Sequence, residues 1–154
     1  MITGELFLEY AKKLAARGTS TEAEQRSAIS RAYYGAYHVA RAFLKDLGID
    51  RTDHQDVKNC LCYSGNAEAK FAGECLGDLG TARRRADYEI DKQLARRGHD
   101  SLSYVRMHVE TTDSIVTNIA KLRQPSLEVA LKAGIEKFLQ SRSQSHGDSS
   151  SHLN

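Results

Sequence analysis

From Ser27 to Phe43 the chain reads SAISRAYYGAYHVARAF, and at 3.6 residues per turn its apolar and polar positions fall on opposite sides of one helix. Ile29, Ala32, Tyr33, Ala36, Ala40, Phe43 and Leu47 share one face, and that clustering predicts a core face. Arg31, Tyr34, His38, Arg41 and Lys45 gather on the other side. Arg31 and His38, seven residues apart, stand almost above one another after two turns. One helix therefore carries cations, an imidazole and a phenol on a single stripe.

The same periodicity places the remaining elements. Ile2, Leu6, Tyr10 and Leu14 repeat at helical spacing until Gly18, predicting a first helix over residues 2 to 17. Thr21 and Glu24 form a Thr-x-x-Glu capping box that starts the second helix, which ends near Leu47 and Gly48. A short helix through Val57, Leu61 and Cys62 is closed by Ser64, Gly65 and Asn66. The next helix, over 67 to 86, is expected to bury Phe71, Cys75, Leu79, Ala82 and Ala86, with Gly73, Gly77, Gly80 and Arg84 on its other side. Each interior glycine costs roughly 0.8–1 kcal/mol relative to alanine, so either a closely packed helix or a ligand backbone contact is expected to offset it.

Residues 87 to 100 are polar and loop-like, and Asp100 or Ser101 caps a helix in which Val105, Val109, Thr112, Val116 and Ala120 share a face until Pro125. Leu127, Leu131, Ile135 and Phe138 predict a last amphipathic helix over 125 to 140. The stretch SRSQSHGDSSSHLN, 141 to 154, has the composition of a disordered tail. No segment alternates with period two, so the fold class read from the pattern is an all-α bundle over 1 to 124, followed by the extra helix and tail.

With 154 residues and 40% hydrophobic content, the chain is long enough for one domain with its own core. A formal net charge of +2 does not announce a nucleic-acid binder, so any such case rests on local clustering. Between Thr81 and His99 six basic residues (Arg83, Arg84, Arg85, Lys92, Arg96 and Arg97) stand against Asp87, Glu89 and Asp91. Such a segment can track a phosphate backbone, or it can be a solvated helix end favoured by the macrodipole. The amino-terminal stretch has charges among its apolar positions, which argues against a signal peptide or membrane span and for a cytoplasmic protein. Cys60, Cys62 and Cys75 are odd in number, and with His54 they match no common zinc spacing, so reduced, buried thiols and no metal or cofactor are expected.

The strings SRAYYGAYHVARAFL and, some forty residues later, ARRRADYEI resemble the HEPN family, specifically its small prokaryotic branch with an SRAYY-x-x-[FY]-H helix and an R-x-x-A-D-Y element. The resemblance covers roughly residues 4 to 123. It implies an up-and-down bundle of four to five helices that forms a homodimer. It also implies a toxin–antitoxin, phage-defence or stress context, often beside a minimal nucleotidyltransferase as partner. Many members are metal-independent ribonucleases with an Arg-x(4–6)-His motif paired across the dimer, whereas others lack it and are noncatalytic. Arg31 and His38 fit that spacing. In the ribonuclease branch the motif usually opens a later helix, which here reads Arg85-Ala86-Asp87-Tyr88 without a histidine.

Two functions follow, and the sequence leaves both open. In a metal-independent endoribonuclease, His38 exchanges protons near neutral pH while Arg31 holds the phosphate bidentately. In a noncatalytic binding module, the same face meets a nucleotidyltransferase or RNA. Tyr34, Arg41, Arg84 and Arg85 are the candidate binding residues, and Asp87 and Tyr88, matching the family's D-Y pair, are expected to brace the helix end. Tyr33, Tyr34 and Tyr37 have the rings to stack bases, but Tyr33 lies on the core face.

Overall fold

Side-chain caps decide where four of the helices begin. In the computed structural model, which describes residues 2–17, 21–95 and 100–147, the Thr21/Glu24 capping box is complete. Asp53, Asn66 and Asp100 each accept first-turn backbone N–H groups in the same way. The helices are α1 (Gly4–Ala16), α2 (Glu22–Asp46), α3 (His54–Cys62), α4 (Ala67–Tyr88), α5 (Ser101–Leu122) and α6 (Pro125–Gly147), with no strand among the described residues.

Cross-helix contacts fix the directions. Arg17, at the end of α1, pairs with Glu24 at the start of α2 at 2.7 Å, while Gly4 at the other end packs on Gly35 and Val39, so α1 and α2 are antiparallel. The Thr112 hydroxyl donates to the Ala32 carbonyl at 3.2 Å, and Arg123 pairs with Asp46, so α5 runs alongside α2 in the same direction. With α4 antiparallel to α2, the molecule is an up-and-down bundle of α1, α2, α4 and α5, in which α3 bridges one end and α6 packs outside on α3.

The expected core face of α2 is buried at every position, Ile29 through Leu47. On α1 the outcome differs. Leu8, Ala11, Leu14 and Ala15 are inside, while Ile2, Leu6 and Tyr10 are 72%, 55% and 52% exposed. The cause is close packing: a Cβ at Gly4 would lie 2.7 Å from the Gly35 carbonyl oxygen, so only a small-residue face lets α1 approach this near. Phe71 is also exposed, against expectation, and on α5 the buried line drifts to Ile115, Ile119 and Leu122, leaving Ala120 at the surface.

The glycines of α4 are used within the chain. A side chain at Gly73 would strike the Cys62 backbone, while one at Gly77 would press on the Lys58 stem and one at Gly80 on the Tyr33 ring, each at 3.3 Å. Cys60, Cys62 and Cys75 are free thiols whose pKa values burial pushes up, but only Cys60 is fully buried; Cys62 and Cys75, expected inside, are half-buried.

The carboxy-terminal boundary needs correction, because α6 does not stop at 140 but continues to Gly147. Leu131 and Ile135 are buried, Phe138 stacks on Tyr63, and Arg142 reaches Asp56 at 2.6 Å. The Ser141 and Ser143 hydroxyls donate back to the Phe138 and Leu139 carbonyls within the helix. The stop at Gly18, the basic residues Arg96 and Arg97, and the tail from 148 lie outside the described residues.

Candidate functional site

The outward stripe of α2 meets one residue of α1 that the sequence reading did not single out, Phe7. Its ring stacks on His38, with centroids 5.6 Å apart and planes at 20°, and the Arg31 guanidinium lies 5.7 Å from its centroid. Seven residues of helix put about 10.5 Å between the Arg31 and His38 backbones, and the phenyl ring fills that interval. Arg31 is exposed in a shallow surface groove with Ile2, Leu6 and Tyr10, and makes no ion pair or hydrogen bond among the described residues. His38, half-buried, lines a second groove with Arg41 and Lys45 on the other side of the start of α1, and Ile2 borders both grooves.

A second cluster joins the two sequence motifs. Arg83 donates to the Tyr34 hydroxyl at 3.0 Å, pairs with Asp87 at 2.7 Å, and lies over the rings of Tyr34 and Tyr88. Ser30 donates to the other side of this arrangement, at Asp87, over 3.3 Å. Asp87 and Tyr88 thus brace the end of α4 against α2 through Arg83. Arg85 is committed to the Gln93 carbonyl at 2.8 Å, whereas Arg84 is exposed and donates to the Thr81 hydroxyl. Arg41 has no ion pair or hydrogen bond among the described residues.

Arg26, also missed, is buried and forks onto the carbonyls of Arg85, Ala86, Glu89 and Lys92. It lies three residues before Ile29 and seven before Tyr33, so its phase with the core face was readable. Its partners, sixty residues away, were not.

A third contact brings α3 onto α2. The Tyr33 hydroxyl and His54 Nδ1 are 2.7 Å apart, and Tyr37 packs on the same imidazole at 4.1 Å while donating to the Thr52 carbonyl. Burial pushes the Tyr33 phenol up to about 12, which makes it a hydrogen-bonding group and not an acid near neutral pH. Tyr33 and Tyr37 are buried, leaving Tyr34 as the half-exposed ring of the three. His54, Lys58, Thr81 and Arg84 border a cleft of about 400 Å³ between α3 and α4, with Glu74 and Asp78 on the same rim.

Burial lowers the pKa of His38, with Arg41 and His54 adding to it. Burial and Arg83 lower that of His54, against Asp53. Burial lowers that of His108, whose Nε2 is enclosed without a hydrogen-bond partner among the described residues, and Asp78 only partly opposes it. Each imidazole binds its proton less readily folded than unfolded, so the unfolded chain takes up more protons as the pH falls below 6.5. The resulting stability is complete above that value and lost below it. Thermal unfolding should show a melting temperature that holds between pH 7 and 8 and falls from pH 6.5 to 5, with His108→Leu flattening the fall. An unchanged acid slope in that variant would remove His108 from the account.

No family model, no curated protein and no solved structure matches the sequence.

Proposed function

We propose that this chain is a HEPN-type module of a prokaryotic toxin–antitoxin, defence or stress system that works by docking and not by cutting. The observation that carries this reading is Phe7. Its ring occupies the interval between Arg31 and His38, so one chain cannot bring both to a single phosphate. Beside it, Ile2, Leu6 and Tyr10 form an exposed apolar line bordered by Arg31, which makes no ion pair among the described residues, the composition of a protein contact with a charged rim. A second copy of this chain is the first occupant of that face, and a minimal nucleotidyltransferase is the heterologous partner the resemblance implies.

The ribonuclease reading is favoured by one observation: neither Arg31 nor His38 has a polar partner among the described residues, and a neutral imidazole suits a proton acceptor. It requires Arg31 of one protomer to meet His38 of its partner. The two readings separate on RNA. Purified chain at micromolar concentration, incubated with single-stranded RNA in the presence and absence of EDTA, should leave the RNA intact. Cleavage that persists in EDTA and disappears in both Arg31→Ala and His38→Ala would replace the docking reading with the catalytic one.

A further inference from the structure

The groove on the far side of the start of α1 exists because the helices differ in length. Helix α1 begins at Gly4, opposite Gly35 and Val39, while α2 and α5 run on together to the Asp46–Arg123 pair. On this side the last two turns of α2 and α5 therefore have no helix above them among the described residues. What they leave is a trough of about 480 Å³, floored by Val39, Ala42, Val116 and Ile119, within the size range of small-molecule sites.

Its rim is cationic. Arg41 and Lys45, one turn apart on α2, make no ion pair or hydrogen bond among the described residues. Two like charges at that spacing oppose each other on a helix. Arg123 closes the far end, held by Asp46, and His38 stands at the near end, its pKa lowered by burial. Thr3, Gly4 and Glu5 form the upper wall, where Thr3 supplies no side-chain cap, so the first-turn amides of α1 add positive potential. Glu5 is the opposing charge on that wall.

We propose that this trough binds a free amphipathic anion, a phosphate monoester or carboxylate head on a short apolar body. The head lies between Arg41, Lys45 and the amino-terminal end of α1, and the body covers the Val39/Ala42/Val116/Ile119 floor. The assignment stands on the groove and its charges; Ile2 borders both this trough and the docking face on the outer side of α1, but none of the charged groups of the trough belongs to that face.

Calorimetric titration of the full chain tests it, with octyl phosphate and octanoate, below their micellar concentrations, as probes. Inorganic phosphate, octylamine and phosphatidylglycerol vesicles serve as comparators. One of the two anionic amphiphiles should bind with one site per chain, at least tenfold more tightly than inorganic phosphate or octylamine, and without vesicle binding. Arg41→Ala/Lys45→Ala and, separately, Ala42→Leu should each weaken it at least tenfold; all three positions are on the surface side of α2, and circular dichroism checks that the variants fold. Absence of binding by both amphiphiles, equal binding of octylamine, affinity unchanged in either variant, or binding only to vesicles would each overturn the proposal.

Discussion

Arg26→Ala should unfold this protein at a temperature about 10 °C below the unsubstituted chain, a loss of about 3 kcal/mol. The residue is 9% exposed, and its side chain donates to four carbonyls where α4 ends, those of Arg85, Ala86, Glu89 and Lys92, while also pairing with Glu22 at 2.8 Å. A helix end leaves its last carbonyls without intrahelical donors, and α4 ends at Tyr88, capped by Glu89 and not by a glycine in the left-handed region. Arg26 is thus the cap of α4, supplied from another helix. Arg26→Lys should recover less than half of the loss, since an ammonium is a single point of charge and cannot fork across four oxygens. Urea or thermal unfolding measures both, and values within about 1 kcal/mol of the parent for Arg26→Ala would show that water satisfies those carbonyls equally well.

How much of this was legible depends on distance along the chain. The faces of α2, the capping box and the burial of Tyr33 follow from residues within a few turns of one another, and the pattern placed them. Helix α1 carried two stripes at once: Ile2/Leu6/Tyr10 and Leu8/Ala11/Leu14. Hydrophobicity favours the first, but the Gly4–Gly35 approach selects the second, because large side chains would hold the helices apart. Three residues of the stripe that marks the helix in the sequence, Ile2, Leu6 and Tyr10, therefore face outward, while its fourth, Leu14, is buried. Phe7, His54 and Arg83 gained their importance from contacts across 21 to 49 positions, which no local spacing encodes. The extension of α6 past 140 rests likewise on Arg142 meeting Asp56, 86 positions away. The glycines of α4 announced close approach correctly in kind, while their partners, the Cys62 backbone and the side chains of Lys58 and Tyr33, needed the fold.

Leu6→Asp should abolish self-association. Leu6 sits in the middle of the exposed line between Ile2 and Tyr10, so in a two-fold contact the substitution enters the interface twice. Burying an unpaired carboxylate among apolar groups costs at least about 3 kcal/mol, which raises the dissociation constant by more than about a hundredfold. The same residue is half-exposed in the single chain, so the fold should be untouched. Arg31→Ala, at the rim, should weaken association by about tenfold or less. The most direct measurement of the docking account is sedimentation equilibrium of the full chain and of Leu6→Asp at 10 to 100 µM, taken as roughly the range where a modest homodimer is populated. The account predicts a dimer for the parent chain and a monomer with unchanged helical circular dichroism for the variant; a parent chain that is monomeric throughout, or a dimer indifferent to Leu6→Asp, would contradict it.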